Sequence, residues 1–442
     1  MRLNSYLIKS TVVAALGGLL FGFDTVVISG TTSGLTAAYH LSPFMKGFTV
    51  SAALWGTVLG SLLAGIPGDR YGRRDSLRFM AVLYLVSAVG CAGAWNWTAL
   101  VIFRFVGGLG IGGSSVLGPM YIAEIAPAKW RGRLVGFFQF NVVFGILIAY
   151  LSNFLIGLQH FGANEWRWDL GVTALPAAFF FVMLFTITRS PRWLVKKQRI
   201  AEAKEVLKLT GDENYERDLQ EIRASIDAEH GHADEPLFLA KYRLPIFLAV
   251  SIAFFNQFAG INAILYYLND IFASAGFSKV SGSLQAVFVG ATNLVFTMLA
   301  MSLIDKFGRK KLLLIGAVGT SLCLLGVAGV FSTGKHMELL IWLLVIYIAF
   351  FAFSQGAVIW VYISEVFPNR VRAKGQSLGS FTHWICAAVI SLGFPELAKW
   401  SRPLPFVFFA GITVVQFFVV LFVYPETKGA SLETLQKELA AG

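Results

Sequence analysis

An all-α membrane protein of twelve transmembrane helices, arranged as two six-helix halves, is the fold class the sequence predicts. Three observations predict it. Of 442 residues, 56% are hydrophobic and only 14% charged, and the mean hydropathy is +0.67, which excludes an ordinary soluble domain. The apolar residues gather into twelve stretches, most of them reaching the ~20 residues a spanning helix needs. Motifs in the first six stretches return in the last six. The expected organisation is a bundle over 1–188, a linker with short helices over 189–243, a second bundle over 244–424 and a tail over 425–442.

The first half runs through stretches near 10–38, 47–67, 77–96, 98–122, 132–157 and 168–188. The first of them contains Gly17 to Gly30, an apolar run with one acid, Asp24, inside it. At ~1.5 Å per residue Asp24 lies roughly 22 Å beyond Lys9 and roughly 8 Å short of the far face of a ~30 Å core. A charge there costs about 2.5–3.5 kcal/mol even on the mildest scale, so it needs a partner, a proton or water. The run is too long for a cleaved leader and lacks a small-residue cleavage site, so no signal peptide is expected. Trp95-Asn96-Trp97 suits a membrane–water interface and separates the third stretch from the fourth. Arg104 is the one base deep within a stretch rather than at its edge, and it lies roughly 10 Å inside from Trp97 at ~1.5 Å per residue. Asp24 and Arg104 thus reach similar depth, and the pattern predicts that they pair when Asp24 is ionised.

Arg189 to Arg243 is hydrophilic and locally neutral, with eleven basic and eleven acidic side chains. Within it Ile200 to Leu209 has helical spacing, with Ala201, Val206 and Leu209 on one face, and Asp212 or Asn214 is placed to cap a second helix. The second half runs near 244–272, 282–304, 311–332, 338–363, 374–396 and 403–424, and Leu432, Leu435 and Leu439 give the tail a short amphipathic end. With the N-terminus cytoplasmic, 29 Lys and Arg fall on the cytoplasmic side and six outside, an asymmetry that predicts both termini inside. The net charge of +11 is therefore topology; it implies anionic lipid headgroups as partners and no nucleic acid. Cys91, Cys323 and Cys386 lie in apolar stretches without metal spacing, and the six His form no cluster. No metal, no cofactor and no enzymatic constellation are expected.

The two halves read as copies. Tyr121 to Pro127 with Arg131 matches Tyr362 to Pro368 with Arg372 at an offset of 241, and Gly68 to Arg74 matches Ile304 to Lys310 at 236. Gly22-Phe23-Asp24 falls on Gly260-Ile261-Asn262 at 238. Such repeats place a site between halves near the midplane and permit rocking around it, which favours transport by alternating access over a channel.

These motifs carry a specific resemblance. The loop Gly68-Asp69-Arg70-Tyr71-Gly72-Arg73-Arg74 resembles the loop motif of the major facilitator superfamily. Arg104 with Gly107 to Gly110, Glu124 to Gly132, Gly260-Ile261-Asn262 with Tyr266-Tyr267, Trp360-Val361 with Ser364-Glu365, and Pro425 to Gly429 together resemble its sugar porter family over nearly the whole chain. Among sugar porters the chain looks most similar to bacterial proton-coupled pentose and hexose symporters. The resemblance implies a multi-pass protein of a bacterial inner membrane, monomeric, that imports a monosaccharide with protons. The alternatives are a facilitative uniporter with the same site and a non-transporting sugar receptor.

Sugars are neutral polyols, so their sites need amides for directional hydrogen bonds and aromatic faces for the ring. By resemblance Gln139, Asn256, Gln257, Asn262 and Asn293 hydrogen-bond hydroxyls, Phe21, Trp360 and Trp384 pack on the ring, and Gly356 permits close approach. The competing use of these amides is as polar ties between helices, worth ~0.6 kcal/mol each. His383, where many sugar porters have an amide, either contacts substrate, responds to pH or packs as a neutral ring. Asp69, Arg73, Arg74, Glu124, Arg131, Asp305, Arg309, Glu365 and Arg372 are expected to form a cytoplasmic gate of ion pairs tying the halves together. Two departures bear on that gate and on the tenth stretch. Arg189 stands where the family has an acid, which removes an expected ion pair, and Ala357 replaces a proline after Gly356, which makes a helix hinge there less secure.

Overall fold

The computed structural model describes residues 4–127, 129–210, 215–231, 235–368 and 370–428, which form helices and turns and no strand. The expected caps Asp212 and Asn214 and the amphipathic end at Leu432, Leu435 and Leu439 lie outside the described residues. The first half of the sequence forms α1 (Ser5–Val27), α2 (Thr32–Tyr39), α3 (Pro43–Leu63), α4 (Gly65–Tyr71), α5 (Arg73–Ala92), α6 (Trp97–Ile125), α7 (Arg131–Gly157), α8 (Glu165–Gly171) and α9 (Ala174–Met183). The linker holds α10 (Pro191–Lys196), α11 (Ile200–Leu209) and α12 (Tyr215–Gly231). The second half forms α13 (Arg243–Phe258), α14 (Ile261–Tyr266), α15 (Leu268–Ser274), α16 (Lys279–Phe307) and α17 (Arg309–Thr333). It continues through α18 (Leu339–Phe351), a π-helical turn at Ala352–Gly356, α19 (Ala357–Val366), α20 (Arg372–Trp400) and α21 (Leu404–Val423).

Among the described residues ten helical runs are long and apolar enough to cross a membrane, and the bent pair α3–α4, 47° apart, makes an eleventh. The expected count of twelve is not reached, because the stretch 168–188 is broken. Pro176 has no N–H to offer the carbonyl of Val172, so the helix ends at Gly171 and restarts at Ala174 as two short pieces. Large apolar side chains on the long helices stay exposed, among them Val89, Ile102, Leu322 and Phe422. Such a surface fits contact with lipid rather than water.

The structure forms two compact units. The first comprises Met1–Thr25, Trp55–Ala149 and Arg167–Asp234; the second comprises Val26–Leu54, Tyr150–Trp166 and Glu235–Gly442. In the first unit α1 and α7 approach so closely that their glycines face each other's backbone. A Cβ on Gly22 would strike the carbonyl of Val142, and one on Gly145 would strike that of Leu19. Gly56 and Gly60 of α3 meet the carbonyls of Phe105 and Leu109 in the same manner. Small residues at such crossings let helices gain van der Waals contact where no hydrophobic effect drives them together. Around them Leu20, Leu77, Tyr84, Leu117, Tyr121 and Phe180 belong to one buried core.

The linker helices α10, α11 and α12 belong to this unit and have a small core of their own, where Trp193 and Leu194 meet Ala203, Val206 and Leu207. Helix α11 falls on the residues the periodicity indicates, but the face it buries differs. Ala203, Val206, Leu207 and Thr210 are inside, whereas Ala201 and Leu209 are exposed. The buried set is an i, i+3, i+4, i+7 stripe, which packs on α10 better than the sparser set read from sequence.

The second unit contains more than the second half of the sequence. Tyr150 donates to the carbonyl of Leu265 at 2.7 Å, and Asn269 N–H donates to Ser29 Oγ at 3.2 Å. Lys46 pairs with Asp270 at 2.9 Å, and Lys279 with Glu165 at 2.7 Å. The residues following Thr25 and Ala149 are thereby fastened onto α14, α15 and α16. Gly260 takes φ +92° between α13 and α14, and a Cβ there would strike the ring of Phe409. Only glycine meets both conditions at that break.

Gly22→Ala tests the α1–α7 crossing. The added methyl has backbone, not a movable side chain, in its way, so a loss of about 1–3 kcal/mol is expected. Thermal melting of the detergent-purified variant should show a clear fall; an unchanged melting temperature would mean the helices are not held this close.

Candidate functional site

The two intramembrane charges lie together in the first unit. Asp24 on α1 is 8% exposed and Arg104 on α6 is 3% exposed, and the guanidinium acts electrostatically on the carboxylate. Gly17 of α1 and Gly118 of α6 let these two helices approach closely, as Gly18 and Gly22 do for α1 and α7. Cys91 and Tyr84 of α5 are buried in the same unit. Tyr84 in turn shares a hydrogen bond of 2.9 Å with Ser114. Sequence reasoning missed Tyr84 and Ser114, which look like ordinary core positions. It also missed Asp169, a carboxylate only 1% exposed on α8. The signal available was an acid at the edge of the sixth apolar stretch.

The amides and aromatics divide between the units. Phe21 on α1 and Gln139 on α7 are half-buried in the first. The other eight candidates lie in the second, and six of those touch one another in a chain. Asn262 Nδ2 donates to Gln257 Oε1 at 2.8 Å, and Gln257 Nε2 donates to Asn256 Oδ1 at 2.9 Å. The same Gln257 nitrogen is nearly equidistant from both ring nitrogens of His383, at 3.3 and 3.2 Å. The His383 ring lies 4.9 Å from that of Trp360 and 5.0 Å from that of Trp384. Trp360 is 38% exposed, while Asn256, Gln257 and Trp384 are buried. Asn293 on α16 is buried and accepts from Thr297 at 3.5 Å. Gly356 closes the π-helical turn before α19. The arrangement offers uncharged donors and acceptors beside aromatic faces, which is chemistry for a neutral polyol and not for an ion.

That turn bears on the missing proline. Without it the helical ladder still breaks, through the π-helical residues Ala352–Gly356, and Ala357 N–H bonds to the carbonyl of Ser354. A Cβ on Gly316 of α17 would strike Ser354, so the facing helix is shaped to receive the wide turn.

The remaining charges form two matched clusters, one in each unit. Arg73 contacts Glu124 at 2.9 Å, Asp69 at 3.0 Å and the Gly68 carbonyl at 2.9 Å. Arg309 repeats this with Glu365 at 2.8 Å, Asp305 at 2.9 Å and the Ile304 carbonyl at 3.5 Å. Ser190 donates to Glu124, as Thr427 does to Glu365. Arg131 donates to the Ala123 carbonyl at 3.1 Å and Arg372 to that of Phe367 at 3.4 Å.

The clusters differ at one place. Glu426 accepts from the backbone N–H groups of Arg309 and Lys310, at 2.8 and 3.1 Å, and so caps α17. Its counterpart Arg189 cannot accept; it pairs instead with Asp75 at 2.9 Å, beside Arg74, also 2.9 Å from Asp75. The expected loss of an ion pair is thus offset, because Arg189 finds an acid in Asp75 of α5.

Comparison with known proteins places this geometry in a family. The family model described as sugar (and other) transporter matches residues 10–439. The D-xylose-proton symporter of Escherichia coli (strain K12) is 36% identical over 473 aligned positions covering 98% of this chain and 96% of that protein. The arabinose-proton symporter of Bacillus subtilis (strain 168) is 35% identical, covering 98% of this chain and 95% of that one. Among solved structures, the partially occluded inward-open form of the xylose transporter XylE from E. coli superposes with a TM-score of 0.87. Its identity is 35%, over 97% of this chain and all of that chain. A structure of the proton:xylose symporter XylE bound to 6-bromo-6-deoxy-D-glucose gives 0.79 at 34% identity, over 99% of this chain and all of that chain. With a matching family model over nearly all its length and relatives of this similarity, the chain belongs to the sugar transporter family of the major facilitator superfamily.

Proposed function

We infer that the chain is a secondary active transporter that imports a monosaccharide, a pentose or hexose, together with protons by alternating access. The observation that carries the reading is the neutral cluster of Asn256, Gln257, Asn262, His383, Trp360 and Trp384 inside a membrane protein. Amides with spare donors and acceptors match sugar hydroxyls, and the indoles match the apolar faces of a sugar ring. Relatives named as xylose- and arabinose-proton symporters support the same substrate class. Phe21, Gln139, Asn293 and Gly356 keep, as part of this proposal, the contacts that the family resemblance gives them.

Coupling is assigned to Asp24 and Arg104. Ionised Asp24 is held by Arg104; protonation removes the attraction and frees Arg104 to make other contacts. Movement between two arrangements of the helices then changes the proton affinity of Asp24, because burial and the nearby cation act in opposite directions. The clusters around Glu124 and Glu365 are read as the gate, bracing the loops Gly68–Arg74 and Ile304–Lys310. In this reading both termini and the linker lie on the cytoplasmic side of a bacterial inner membrane, in keeping with the excess of Lys and Arg there. The protein acts as a monomer and as a transporter, not an enzyme.

Two measurements test this. Gln257→Ala should weaken sugar binding by roughly 1–3 kcal/mol by leaving a hydroxyl unpaired; calorimetry that finds unchanged affinity would remove Gln257 from the site. Asp24→Asn imitates the protonated acid. In proteoliposomes this variant should bind sugar and exchange it across the membrane yet fail to accumulate it against a gradient. Proton-driven accumulation persisting in Asp24→Asn would end the assignment of coupling to that residue.

A further inference from the structure

The second unit contains two more amides that no sugar contact accounts for. Gln355 lies in the π-helical turn, and Gln416 lies mid-helix in α21, within the run Val414-Val415-Gln416-Phe417-Phe418. Each is 1% exposed. Gln355 Nε2 donates to Gln416 Oε1 at 2.9 Å, while Gln355 Oε1 is buried without a hydrogen-bond partner. A buried orphan oxygen is costly in hydrocarbon surroundings, so packing alone gives no reason to place this amide here. The bond it does make ties the turn to α21.

The turn is also where the substrate amides end. Asn256 Nδ2 donates to the main-chain carbonyl of Gln355 at 3.3 Å. Together with the bonds already described, the order of donation runs Asn262 to Gln257, Gln257 to Asn256, Asn256 to Gln355, and Gln355 to Gln416. All four bonds point the same way. The bonds from Asn262 through Gln257 and Asn256 to the main-chain carbonyl align these amides head to tail, so that they polarise one another; the Gln355 side chain makes a separate bond that ties the same turn to α21. At the near end the chain presents the carbonyl oxygen of half-buried Asn262, an acceptor.

We propose that Gln355 and Gln416 are positioning residues for sugar recognition, anchoring the π-helical turn so that its carbonyl fixes the orientation of Asn256 and, through it, of Gln257 and Asn262. The proposal rests on the reading of those three amides as the sugar site. Where the family's proline after Gly356 is missing, the turn thus has a hydrogen-bonded anchor across to α21. It also predicts selectivity: the chain favours a sugar carrying a hydroxyl that can donate to Asn262 over the analogue lacking it.

The experiment is a double-mutant cycle on the purified full chain, read by calorimetry with D-xylose, L-arabinose and D-glucose, using whichever binds wild type most tightly. Gln355→Leu with Gln416→Leu removes both partners at once, which spares the fold the cost of one orphaned group. This paired variant should melt close to wild type, bind the sugar about tenfold more weakly, as expected for a misplaced hydrogen-bond set, and lose discrimination against monodeoxy analogues. Adding Asn256→Ala to it should change affinity little further. If the paired variant does not fold, Gln416→Met takes its place and must show the same loss. Wild-type affinity in the paired variant, or a loss that adds in full to that of Asn256→Ala, would overturn the positioning role. An Asn256→Ala single variant with undiminished affinity, or no binding of any of the three sugars by wild type, would overturn the sugar-site reading itself.

Discussion

A polar group placed among apolar helices must be met by another, since no water stands ready to replace the missing partner. Most of the informative features of this chain follow from that constraint. Asp24 is met by Arg104 in one unit. Gln257 is met by Asn256, Asn262 and His383 in the other. The glycines that look like filler along α1, α3, α6 and α7 bring backbones within reach of one another. Asp24 and Arg104 therefore sit in one unit, and the chain of amides around Gln257 in the other.

Duplication sets the frame, and the departures from it are where the chain is individual. Arg73 with Glu124 and Arg309 with Glu365 repeat down to the hydroxyl that meets each glutamate. Against that symmetry the swap of Glu426 for Arg189 stands out. In one half the Glu426 carboxylate caps α17; in the other Arg189 takes its place and pairs with Asp75 of α5. Likewise the tenth stretch keeps a break without the proline, through a π-helical turn received by Gly316.

Composition and periodicity made the membrane class, the helical content and the duplication legible, because twenty apolar residues in a row have few other uses. Asp24 and Arg104 were legible for the complementary reason that charges in such runs are expensive. The break at Val172 was less so: Pro176 in an apolar stretch is a weak mark until the helix it interrupts is seen. The face buried by α11 depended on Trp193 and Leu194, which are close in space and not in periodicity. Gln355 and Gln416 are 61 residues apart, and nothing in either local sequence announces the other. Their meeting is a tertiary fact, as is the fastening of Lys46 and Tyr150 onto α15 and α14.

The central claim is that one cycle moves sugar and protons together. Its most direct measurement is the pH inside proteoliposomes carrying a trapped dye when an inward sugar gradient is imposed without any proton gradient. The expected result is acidification of the lumen that depends on the protein, saturates with sugar and follows sugar entry in fixed proportion. Entry of labelled sugar with no change in internal pH would contradict it.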